Sequence, residues 1–145
     1  CTGRGFWTMM SGSPFSMPRA RAGAPSVTRD ETGALWMAAR MRTADAPLGL
    51  RGYEIRIYRS DDGIQYDAVH SIRREDVPIP GFERPALLQD PRTGAFKLYG
   101  CGPLDGPWCI FKLDDAERPD RFIPSTTRKV IAWDAGHSGR VCAAL

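Results

Sequence analysis

The chain has 145 residues, of which 42% are hydrophobic and 26% charged, and its formal net charge is +3. That length supports one domain with a single core, and 15 Gly with 12 Pro favour many turns over long helices. The longest apolar run, residues 34–39, falls far short of the roughly 20 residues that span a bilayer. Arginines scattered among acids, with no aromatic residues interleaved around Arg19 and Arg21, argue against a nucleic-acid partner.

The chain begins at Cys1 with no initiator Met or signal peptide. A fragment is the expectation, with a mature lipoprotein as the alternative. Cys1, Cys101, Cys109 and Cys142 show no C-x-x-C spacing, and only His70 and His137 could join them, so no structural zinc site is expected. The early "TGRGF" lacks the Lys and Ser or Thr of a phosphate loop, and no G-x-S-x-G surrounds Ser11. A strand remnant is expected over residues 5–10.

At Pro25 begins "PSVTRDETGALWMAARMR", and at Pro85, 85 − 25 = 60 residues on, begins "PALLQDPRTGAFKLYGC". Each has an apolar run, an Asp-containing turn closing on Thr-Gly-Ala (32–34 and 93–95), and then an apolar strand. In the first of these strands Leu35, Met37, Ala39 and Met41 fall on one face; in the second Phe96, Leu98 and Gly100 do so. A third strand follows over 53–58, half-buried by its alternation of Tyr53, Ile55 and Ile57 with Glu54, Arg56 and Tyr58, and its counterpart spans 108–113. Each then meets an acidic turn, "RSDDG" or "DDAERPD", and a fourth strand resumes at Tyr66 or Phe122. Asp62-Gly63 supplies turn chemistry, since Gly tolerates positive φ and Asp can accept from the backbone two residues on.

The pattern predicts an all-β fold, a β-propeller fragment of about two four-stranded antiparallel blades with partial flanking strands, within one partial domain over 1–145. The blade-like units are 20–73 and 83–131, and 132–145 starts a further unit. A β-sandwich is the alternative.

Residues 20–131 resemble the five-bladed β-propeller glycosidases, the broad group of arabinanases, β-xylosidases, invertases and levansucrases. The resemblance rests on "SDDGIQY", similar to an Asp-Gly hairpin of these propellers and of sialidases, and on "FERPALLQDPRTGAFKLY", similar to their Glu-x-Pro blade opening. It implies a carbohydrate ligand and hydrolysis of glycosidic bonds by carboxylate acid/base chemistry, with a non-catalytic carbohydrate-binding or scaffold propeller as the alternative. By the same resemblance Glu83, at the start of an innermost strand, is the candidate general acid; its structural alternative is an ion pair with Arg84 or another arginine. Ala24 stands before Pro25 where the family commonly carries Asp, so the partner carboxylate is missing there.

The implied funnel places Arg40, Arg42, Arg84, Asp45 and His137 as substrate-binding candidates, with Arg51, Glu75, Asp76 and Asp134 within reach. Trp36 and Trp108 could stack on a sugar, although both are expected in strands, which favours core packing. Asp61 and Asp62 should face away from the funnel. Some related propellers hold calcium at the axis, but no oxygen-ligand cluster here points to one, so no cofactor is expected.

Overall fold

The computed structural model describes residues 21–43, 52–104 and 106–132. Among them are eight strands in two four-stranded antiparallel sheets and no α-helix. The first sheet is β1 (Arg21–Arg29), β2 (Leu35–Arg42), β3 (Glu54–Ser60) and β4 (Asp67–Arg73). The second is β5 (Glu83–Gln89), β6 (Phe96–Gly102), β7 (Cys109–Lys112) and β8 (Arg128–Ile131). In both, strands neighbour each other in chain order. The expected flanking strands at 5–10 and in 132–145 lie outside the described residues, apart from Ala132.

The two sheets repeat each other in register. Gly23 opposes Arg40 and Ser26 opposes Ala38 in the first, as Glu83 opposes Cys101 and Ala86 opposes Tyr99 in the second. Both first strands break register over the same two residues, Ala24-Pro25 and Arg84-Pro85, and both residues before proline have positive φ, 50° at Ala24 and 22° at Arg84. Proline carries no N–H for a ladder and disfavours helical geometry before it, so the irregularity belongs to the sequence.

The sheets meet mainly through their first strands, β1 against β5, with β2 adding a smaller contact to β5. Ser26 ties them directly: its hydroxyl accepts from the Leu87 N–H at 2.9 Å and donates to the Leu87 carbonyl at 3.3 Å. Trp36, Ala38, Ile55, Ile57 and Ile72 of the first sheet share a core with Leu87, Phe96, Leu98, Cys109 and Phe111 of the second. By register, the second sheet's counterparts of Trp36 and Ala38 are Lys97 and Tyr99, which alternate with the core-facing Phe96 and Leu98 and so lie on its other face. Equivalent faces therefore point the same way, and the contact is head-to-tail rather than two-fold.

Several expectations change. Leu35, Met37, Ala39 and Met41 do share a face, but the inter-sheet core takes the alternate set, Trp36 and Ala38. The strand expected to be half-buried is covered on both faces, with Glu54 and Tyr58 only 4% and 3% exposed. The eighth strand starts at Arg128 rather than near Phe122, because Pro119 and Pro124 each open a short 3₁₀ turn (Pro119–Arg121, Pro124–Thr126) that delays the ladder. Trp108 sits just before β7 rather than in it.

Candidate functional site

The start of a first strand lies beside the end of the second strand it pairs with, so one end of each sheet gathers residues from both. In the second sheet this end begins with Glu83. Its carboxylate Oε2 forms an ion pair with the Arg40 guanidinium Nη1 of the first sheet. The pair bridges the seam between sheets, and both side chains are partly screened, Glu83 at 24% and Arg40 at 13% exposure. Glu83 thus takes an arginine partner from the neighbouring sheet, not Arg84.

Register also identifies the position matching Glu83. Two residues before Pro85 is Glu83, and two before Pro25 is Gly23, which opposes Arg40. Ala24, the position expected to carry the partner acid, instead matches Arg84, and Gly23 is the counterpart of Glu83. A Cβ at Gly23 would lie 3.6 Å from the Arg40 Nη2. The first sheet supplies the guanidinium and an open backbone position; the second supplies the carboxylate and, opposite it, the buried Cys101. The signal was present in the sequence, because counting back two residues from each proline reaches Gly23 and Glu83.

Arg42 ends β2, half-buried and opposite Arg21, which is exposed. Arg84 is exposed within the β5 irregularity. Glu75 and Asp76 lie in a 3₁₀ turn (Arg74–Asp76) linking β4 to β5; the Glu75 carboxylate accepts from the Arg74 Nε at 3.0 Å, and Asp76 Oδ2 accepts from the Arg73 N–H at 3.4 Å. Asp45, Arg51, Asp134 and His137 lie outside the described residues. Among the described residues, no group of three or more His, Cys, Asp or Glu could hold a metal ion. Nor is any helix long and apolar enough to cross a membrane.

The opposite end holds a cleft of about 680 Å³ between the two sheets, lined in part by Asp30, Trp36, Arg59, Phe96, Glu117 and Arg118. Much of its polar lining is already matched. The Asp30 carboxylate accepts from the Thr32 and Ala34 N–H groups, the Thr32 hydroxyl and, at 2.8 Å, the Trp36 indole. Burial pulls the Asp30 carboxyl upward, but these hydrogen bonds outweigh it and hold it below the usual carboxylate range. Arg59 and Arg118 fork onto Asp61 and Asp120 and also lie 5.8 Å from the Trp36 ring centre. With the whole residue 2% exposed, Trp36 is a packing residue.

Asp61 and Asp62 lie in the turn after β3, at the end of the sheet away from Glu83. Asp62 Oδ1 accepts from the Ile64 and Gln65 N–H groups, both 2.8 Å away, and from the Ser60 hydroxyl, and these bonds lower its pKa. Gly63 takes φ 74°, which a Cβ would strain. "SDDGIQY" is thus accounted for by turn chemistry.

No family model matches the chain, and no curated protein and no solved structure matches it either.

Proposed function

We infer that the two sheets are consecutive blades of a β-propeller whose carbohydrate ligand is bound at the end carrying Glu83 and Arg40. Head-to-tail stacking supports the propeller part: each sheet offers one kind of face to its predecessor and another to its successor, as radial repetition requires. The carbohydrate part draws on the resemblance of the Glu-x-Pro opening and the Asp-Gly hairpin.

The observation that carries the reading is the cross-sheet Arg40 to Glu83 pair. It sets carboxylate acceptors beside guanidinium donors, a combination suited to sugar hydroxyls, which both donate and accept. It favours binding over hydrolysis. An acid catalyst must deliver a proton, whereas this carboxylate is engaged by a permanent cation, and its counterpart Gly23 offers no second carboxylate. Hydrolysis by acid/base chemistry remains the second reading, favoured by the place of Glu83 at the start of β5.

Binding to a panel of oligosaccharides, followed by reducing-end release, tests both. The expectation is that the parent chain binds, releases no reducing sugar, and binds more weakly as Glu83→Gln. Sugar release by the parent that disappears in Glu83→Gln would establish hydrolysis instead. A parent chain that binds no saccharide at all would remove the carbohydrate reading.

A further inference from the structure

Arg21 and Arg42 stand directly opposite each other across β1 and β2. Like charges facing each other across a ladder are destabilising, and neither residue makes an ion pair with a described acid. Most other described arginines are ion-paired, Arg56 with Glu54, Arg59 with Asp61, Arg74 with Glu75, Arg118 with Asp120 and Arg128 with Asp114; Arg29, Arg73 and Arg84 make no such pair with a described acid, but none of them faces a second arginine across a ladder. Arg42 also lies two residues from Arg40 along β2, so the two share the face turned toward the second sheet. Arg40 is already committed to Glu83 across the seam. The result is a cationic rim at the candidate site, extended by the exposed Arg84 next to Glu83.

Building on the carbohydrate reading, we propose that the saccharide taken here is acidic, with its carboxylate or sulfate held between Arg42 and Arg21. A guanidinium presents a planar fork that matches either anion with two parallel hydrogen bonds. An anion between the two arginines would relieve their mutual repulsion, which a neutral sugar cannot do. The Arg40 to Glu83 pair would take the neighbouring hydroxyls.

Titration of the 145-residue chain with an oligogalacturonide, its methyl ester and a sulfated oligosaccharide tests this. The expected result is binding of at least one acidic ligand roughly tenfold or more tighter than the ester, the scale of one lost charge-assisted contact. Arg42→Gln and Arg21→Gln should each lose about that factor, Arg42→Lys less, and Arg29→Gln at the far end nothing, with circular dichroism confirming folded variants. The carboxylated and sulfated arms tell which anion is preferred. Equal affinity for acid and ester, unchanged in the Arg variants, would overturn the proposal while leaving carbohydrate binding intact. Failure of every saccharide to bind would overturn both, and equally tight binding of inorganic polyphosphate would reduce the rim to non-specific attraction and also overturn the proposal.

Discussion

Arg56 and Phe111 occupy the same position in the two sheets. Arg56 opposes Ala39, and Phe111 opposes Gly100. Phe111 is fully buried, and its ring fills the space over Gly100, where a Cβ would come within 2.4 Å of the ring. Arg56 instead forks onto Glu54 at 2.6 and 2.8 Å, and Ser71 donates to the same carboxylate at 2.8 Å. The opposite faces differ in the same way: Trp36 bonds Asp30 in the first sheet, while its counterpart Lys97 bonds Asp90 at 2.6 Å in the second. One backbone register thus accepts either an apolar or an ionic solution, and the face's neighbour decides between them. The two faces that meet enclose an apolar core, with the Arg40 to Glu83 pair at one end; their equivalents on the far sides carry ion pairs.

The largest break in this comparison should come at the shared core. Phe111→Ala is expected to lower unfolding free energy by about 3–5 kcal/mol, the range for emptying a buried aromatic site, measured by chemical denaturation. Arg56→Ala should cost about 2–4 kcal/mol by a different route, since it leaves the buried Glu54 carboxylate with little beyond Ser71. Replacing both Glu54 and Arg56 with apolar residues should recover part of that loss, whereas no second change around Phe111 should do so without refilling volume. Recovery in neither case would mean that the two positions are not opposed solutions.

The seam comes next. Ser26→Ala strips both hydrogen bonds from Leu87 and should cost about 1–3 kcal/mol, while Ala86→Ser at the matching position of the second sheet should change stability little. Of similar size is Trp36→Phe, expected to cost about 1–3 kcal/mol by removing one donor from Asp30 and part of a buried ring. The Asp30 and Asp90 carboxyls both lie below their ordinary value of 3.8. At Asp90 the Lys97 partner is the main cause; at Asp30 the hydrogen bonds overcome burial. Their stabilising effect is complete above about pH 4 and fades as pH falls through the lower folded-state values. Acid titrations of Trp36→Phe and Lys97→Met should show a flatter loss of stability below pH 4 than the parent; unchanged curves would disconnect these partners from the aspartates.

The repeat was legible in the sequence because it is written in residues with few alternatives, the prolines at 25 and 85, the Thr-Gly-Ala turns and Asp62-Gly63. The eight strands follow that order. Burial was less legible: alternation in 53–58 suggests one wet face, yet Glu54 is buried because Arg56 and Ser71 satisfy it, a solution composition does not reveal. The site was half legible. Glu83 stood out by its Glu-x-Pro context, but its pairing with Arg40 crosses 43 positions of sequence (83 − 40), and no local pattern encodes which strands become neighbours.

The kinks at Ala24-Pro25 and Arg84-Pro85 bear on how the protein avoids sticking to itself. Among the described residues the first strand of each sheet has a hydrogen-bonded strand partner on one side only, with the Leu87 backbone also held by the Ser26 hydroxyl, and a straight strand in that position would invite another chain to pair along it. A proline that can donate nothing, preceded by a residue turned out of extended geometry, interrupts the row of open amides near its start. The irregularity that follows Glu83 in β5, and its counterpart in β1, therefore also discourage strand-by-strand aggregation.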